Sequence, residues 1–242
     1  MGVYLERYGR GEKILFLHGA GGSTASWYFQ KRLQMVCEVL LVDLPGHGQS
    51  GGEGLRSIEV YAESVRTVIT ENGLEGCYVA GHSMGGAIAI SLALASPELL
   101  AGLVLVGTGA RLKVFPEILE GILNDKEETV RAIMGFAFSK KAPPDLVERC
   151  YAEMMASPKE VIHGDFLACS VFDLMEGVKS IDLPTLVIAG ADDGLTPLKY
   201  AEYLNREIRG SRLAVIRDAG HMVMRERPEE TNRAIEACVI HR

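Results

Sequence analysis

Five cysteines are scattered through the 242 residues, at Cys37, Cys77, Cys150, Cys169 and Cys238, and no two form a C-x-x-C pair. An odd, dispersed set supplies neither a disulfide framework nor a zinc cradle, so the expectation is buried, reduced thiols. No run of lysine and arginine opposes the formal charge of −7, which argues against nucleic acid and anionic membranes as main partners and favours a small, neutral or apolar substrate. No apolar run is long enough to cross a bilayer. The opening residues, MGVYLERYGRGEKILFLHG, mix acidic and basic side chains and lack the apolar h-region of a signal peptide, so a cytoplasmic location is expected. Repeats and disordered tracts are missing too. With 48% hydrophobic and 24% charged residues, the chain has the material for one large α/β domain, or for a domain carrying an insertion.

The stretch from Cys77 to Ala95, CYVAGHSMGGAIAISLALA, joins a short apolar run, a glycine-rich knot around Ser83 and a small-residue helical pattern. Gly81, Ser83 and Gly85 fit G-x-S-x-G, in which a serine on a strained strand-to-helix turn lifts its hydroxyl clear of the sheet. Glycines flank it because side chains two residues away would strike the neighbouring strand or helix. The helix that follows points its N-terminal amides, led by that of Met84, at negative charge forming beside Ser83.

Around this unit, strands and helices alternate. Val3 to Tyr8 and the apolar Lys13 to Leu17 read as two strands joined by the turn Gly9-Arg10-Gly11. The loop His18-Gly19-Ala20-Gly21-Gly22 then leads into a helix from about Ser23 to Leu33, with serine or threonine as N-cap. That loop lacks the lysine and spacing of a P-loop; its better use is to bring one backbone amide, that of Ala20, opposite Met84 as a two-donor oxyanion hole. Val36 to Leu44 reads as a strand, followed by the loop Asp43–Ser50, whose His47 reads as structural. Ser57 to Asn72 has helical spacing with Gly73 as its cap, and Ala101 to Val106 is another buried strand. From about Arg111 to Lys179 the pattern is helical without strands, broken at Asn124-Asp125, Pro143-Pro144 and Ser157-Pro158. This predicts a helical insertion, residues 111–179, in a core of residues 1–110 and 180–242. Some of its apolar side chains should line a pocket, and His163 should be a surface or core residue. Strands at Leu183–Ala189 and Leu213–Ile216 resume the alternation, the first followed by Asp192-Asp193 and the second by Gly220-His221. The expected fold class is α/β, a doubly wound, mostly parallel sheet.

Ser83, an acid near position 193 and His221 therefore each follow a strand, and in an open parallel sheet the C-terminal strand ends converge on one crevice. Serine is a poor nucleophile until an imidazole takes its proton, and the imidazole needs a carboxylate to fix its tautomer and stabilise its charged form. Five segments in order, His18-Gly19, Asp43-Leu44-Pro45-Gly46-His47-Gly48-Gln49-Ser50, Gly81–Gly86, Gly190-Ala191-Asp192-Asp193 with Pro197, and Gly220-His221, resemble the α/β-hydrolase fold family, in particular its esterase and lipase-like members with a helical lid. The resemblance covers nearly the whole chain. It implies catalysis by Ser83, Asp193 and His221, with Asp192 as the alternative acid, and an oxyanion hole from the amides of Ala20 and Met84. It calls for no metal or organic cofactor. It implies a small-molecule ester as substrate; carbon–carbon bond hydrolases, enol-lactonases, cofactor-free haloperoxidases, menaquinone-pathway lyases and ligand receptors use the same scaffold. The short N-terminus suggests a sheet with a trimmed antiparallel edge.

Overall fold

Seven segments become strands in the computed structural model, which describes residues 2–240. They are β1 (Leu5–Gly9), β2 (Lys13–Leu17), β3 (Glu38–Val42), β4 (Cys77–His82), β5 (Leu100–Val106), β6 (Thr185–Gly190) and β7 (Arg212–Ile216). One sheet holds them in the order β1-β3-β2-β4-β5-β6-β7. From β3 to β7 every neighbouring pair is parallel, and β1 alone runs antiparallel, against β3. The two opening strands are thus adjacent in sequence but not in the sheet, because β3 lies between them. Gly9 and Gly11 make the turn with φ of 76° and 111°, a region closed to most side chains.

Successive side chains of a strand face opposite ways, and both faces of this sheet are covered. Leu15, Leu17, Leu40, Val42, Val79, Leu103 and Leu105 pack with α1 (Ile58–Glu71), α2 (Met84–Ala95) and part of α7 (Lys199–Glu207). Ile14, Phe16, Val39, Leu41, Ala80, Val104 and Ile188 pack on the other face with the 3-10 helix Thr24–Met35, α8 (Val223–Glu226) and α9 (Pro228–Val239). Residues 84–93 of α2 are all buried, which is why this helix is apolar all round. The helix expected from Ser23 is capped by Ser23 as foreseen, but its bonding is 3-10 and it kinks at Trp27. Ser57 caps α1, and Gly73 sits just past the Asn72 cap at φ 61°, in the left-handed position that ends many helices.

Between β5 and β6 the chain forms α3 (Pro116–Asn124), α4 (Lys126–Ala137), α5 (Pro144–Ala156) and α6 (Lys159–Val171), broken at the three places the sequence marks. Asp125 ends one helix and caps the next, its side chain accepting from the Glu128 amide at 3.1 Å. Ile122, Val130, Ile133, Leu146, Cys150, Met154 and Ile162 make a core among these helices, whereas Phe172 joins the main core. All five cysteines are buried and unpaired, and burial pushes the Cys77 thiol up to about 12. Among the described residues no helix is long and apolar enough to cross a membrane.

Candidate active site

Ser83 stands between β4 and α2 with φ 53° and ψ −116°, one of two non-glycine residues among those described with positive φ. Backbone strain of this kind persists only where surrounding packing holds it. Here the Ser83 amide donates to Val106 O at 3.0 Å, and the Thr108 hydroxyl donates to Ser83 O at 2.8 Å. The flanking glycines have steric reasons. A Cβ on Gly81 would lie 2.1 Å from Gly85 O, and one on Gly85 would lie 2.4 Å from Leu17 O. The turn therefore needs both glycines, and it leaves Ser83 half-exposed at the start of α2, where the helix dipole favours negative charge.

The loop after β6 brings Asp193 to the loop after β7. Asp193 Oδ2 lies 2.9 Å from His221 Nδ1. Its Oδ1 accepts from the amides of Leu195 and Thr196, both at 2.8 Å, and its Oδ2 accepts from the Thr196 hydroxyl at 2.7 Å. Burial works to raise the Asp193 pKa, but the neighbouring His221 and these donors outweigh it and hold the carboxyl below its ordinary range. Asp192 is exposed, its amide bonded to Ala219 O. His221 is held at three more points. Its amide donates to Ala137 O at 2.7 Å, its carbonyl accepts from His82 Nε2 at 3.1 Å, and its ring nitrogen Nδ1 lies 3.1 Å from the Thr196 hydroxyl. A proton on Nδ1 facing Asp193 leaves Nε2 as the free base. Glu226, buried, accepts from the Gly220 amide at 2.7 Å and from the Ser139 amide at 3.0 Å, tying the His221 loop to the end of α4.

The Ala20 loop is a turn closed by the Gly22 amide on Gly19 O at 3.1 Å. Among the described residues neither the Ala20 nor the Met84 amide has a hydrogen-bond partner, so both remain available as donors. Ser83, His221 and Ala20 share the walls of two cavities. The larger, of about 400 Å³, is lined mainly by apolar side chains, among them Val114, Phe115, Ile118, Ile133, Phe136 and Phe166. The smaller, of about 80 Å³, reaches Met134, Cys150, Met154 and Met222. Phe115 and Phe136, 74% and 62% exposed, place apolar surface beside solvent at the larger cavity.

Among the described residues, three further histidines have other partners. His18 accepts from the Leu44 amide and donates to Gly19 O, and burial together with the nearby His47 drives its pKa well below the ordinary value. Burial and the neighbouring His221 likewise push His82 down to about 3. His47 pairs with Asp165 of α6 at 2.8 Å, both side chains fully buried. Half-buried His163 lines neither cavity. Thr196, Glu226 and Asp165 are absent from the sequence reading. Thr196, three residues after Asp193, had a local signal in the side chain-to-backbone pattern of such turns, but the partners of Asp165 and Glu226 are set by tertiary packing alone.

Comparison with known proteins agrees with this architecture. A family model described as alpha/beta hydrolase fold matches residues 13–228. The chain is 31% identical to a putative carbamate hydrolase, RutD, of Azorhizobium caulinodans, over 95% of this chain and 92% of that one. It is 29% identical to the pimeloyl-[acyl-carrier protein] methyl ester esterase of Aeromonas hydrophila, over 99% and 100% of the two chains. Among solved structures, a thermophilic esterase superposes with a TM-score of 0.86 at 37% identity, covering 96% of each chain. The chain belongs to the α/β-hydrolase fold family.

Proposed function

We propose that the protein is a serine hydrolase that cleaves small or medium carboxylic esters through an acyl-enzyme. The observation that carries this reading is the bond of 2.9 Å between Asp193 and His221 at a cavity wall shared with Ser83, itself held at positive φ. His221 Nε2 takes the Ser83 proton as Ser83 Oγ attacks the ester carbonyl. The amides of Ala20 and Met84 receive the developing oxyanion as preorganised donors. Protonated His221 then gives its proton to the leaving alkoxide, and a water activated by the same imidazole hydrolyses the acyl-enzyme. Asp193 stays ionised throughout and stabilises the imidazolium.

The larger apolar cavity takes the acyl chain and the smaller one the alcohol, with residues 111–179 acting as a lid over a core of residues 1–110 and 180–242. Ester-cleaving relatives support a small-molecule ester as substrate. Kinetics on p-nitrophenyl esters of graded acyl length, with a lactone and a meta-cleavage diketone alongside, test the substrate class. Esters should give the highest kcat/KM, with an optimum at the length that fills the larger cavity. A higher kcat/KM for the lactone or the diketone would overturn the ester assignment.

A further inference from the structure

Gly21 follows Ala20 in the candidate oxyanion loop, and both of its backbone polar groups are held from outside the loop. Its amide donates to Asp165 Oδ2 at 2.8 Å, and its carbonyl accepts from the Ser157 hydroxyl at 3.0 Å. Asp165 belongs to α6 and Ser157 ends α5, so both grips come from the inserted helices. The apolar contacts agree: a Cβ on Gly21, which has φ 64°, would meet Met154 and Ile162 at 3.1–3.2 Å. The positive φ favours glycine here, and the inserted helices pack closely against it.

Asp165 is itself fixed. It is wholly buried and accepts the Tyr61 hydroxyl of α1 at 2.6 Å on Oδ1 and His47 Nε2 at 2.8 Å on Oδ2. Tyr61 in turn accepts the Leu55 amide at 3.0 Å, and His47 donates through Nδ1 to Pro45 O at 3.0 Å. One carboxylate therefore joins α6, α1, the loop after β3 and the oxyanion loop. A buried carboxylate is costly unless its oxygens are satisfied by donors, as these are. Neither Asp165 nor Ser157 lines the two cavities, so neither touches a substrate placed there.

We propose that Asp165 and Ser157 are positioning residues: by gripping the two peptide groups of Gly21 they set the plane of the Ala20 turn and hold the Ala20 amide where the oxyanion forms. Seating the inserted helices on the core thereby completes the oxyanion hole. The proposal rests on the serine-hydrolase reading for its kinetic consequence, but not for the clamp itself.

The test combines amide hydrogen exchange, followed by NMR, with steady-state kinetics on Asp165→Ala, Asp165→Asn and Ser157→Ala in the full chain. Exchange at the Gly21 amide should accelerate at least ~10-fold in the Asp165→Ala protein while Val79 and Ala80 in β4 stay protected. In both alanine variants kcat, normalised to serine labelled by a fluorophosphonate, should fall ~10- to 100-fold with KM nearly unchanged, a loss smaller than or comparable to deleting one oxyanion donor. Asp165→Asn keeps an acceptor oxygen and should fall between Asp165→Ala and wild type. Ser157→Ala removes one half-buried hydroxyl and supplies a folded variant should Asp165→Ala not fold. Unchanged Gly21 exchange in the Asp165 variants, or kcat per labelled site equal to wild type in the alanine variants, overturns the proposal. A purely structural role would lower the melting temperature without either change. If the wild-type protein neither turns over esters nor labels, the serine-hydrolase reading is what fails, and Gly21 exchange still decides the clamp.

Discussion

Two adjacent aspartates have opposite surroundings. Asp193 is buried, accepts three hydrogen bonds from Leu195 and Thr196, and faces His221; Asp192 is exposed and engages the fold through its backbone. Replacing Asp193 by Asn keeps the shape but offers the imidazole the wrong tautomer, so kcat should drop by a factor on the order of 10³–10⁴, whereas Asp192→Asn should leave it within about two-fold. Steady-state rates of the two variants check this, and equal losses would contradict the assignment. At this scale the sequence was readable where a residue type follows a strand end, and the structure brings Ser83, Asp193 and His221 to the same part of the fold as that spacing implies. The sequence was silent on Asp165 and Glu226, since a buried carboxylate on a helix has no local pattern that names its partners.

At the scale of elements, the β4–turn–α2 unit works because two backbones approach more closely than side chains allow. A methyl on Gly85 would meet the carbonyls of Leu17 and His18 at 2.4 and 2.7 Å, and rigid strand backbone cannot yield as a flexible side chain would. Gly85→Ala should therefore destabilise the fold by about 3 kcal/mol or more and lower kcat with it, as urea unfolding and turnover would show. Wild-type stability in that variant would mean that the close approach is not needed. Strand positions were legible because strands buried on both faces read as continuous apolar runs, as Ile14 to Leu17 do. Strand order was less so. Nothing in the alternation of Leu5 to Gly9 tells that it pairs with β3 rather than with the strand that follows it, since pairing depends on the crossover path and not on local pattern. The 3-10 bonding of Thr24–Met35 was equally hidden, because 3-10 runs are usually short and the kink at Trp27 interrupts any single period, so a capped helical stretch reads as an ordinary helix.

For the whole molecule, buried histidines give stability a pH dependence whose sign follows from their partners. His47 faces two acceptors, Pro45 O and Asp165; burial opposes its charge, but Asp165 outweighs burial and its pKa is raised above 6.5. Its contribution is complete below about pH 6.5 and is lost as pH rises through the raised folded value. His18 and His82 are depressed, His82 to about 3, so the unfolded chain binds protons that the native state refuses as pH falls from 6.5. Stability should therefore fall on acidification below 6.5, each such histidine contributing about 1.4 kcal/mol per pH unit within its window. Urea midpoints between pH 8.5 and 4 measure this, and a constant midpoint from 6.5 to 4 would contradict it. The His47–Asp165 pair also ties the inserted helix α6 to the loop after β3, and through Asp165 to Tyr61 and Gly21, so the proposed lid and the proposed oxyanion loop share one support. The most direct test of the proposed centre at Ser83 is ester turnover by Ser83→Ala. The account predicts a folded protein with the melting temperature of wild type or higher, no fluorophosphonate label, and p-nitrophenyl ester hydrolysis reduced by a factor on the order of 10⁴–10⁶. Hydrolysis retained at the wild-type rate would contradict it.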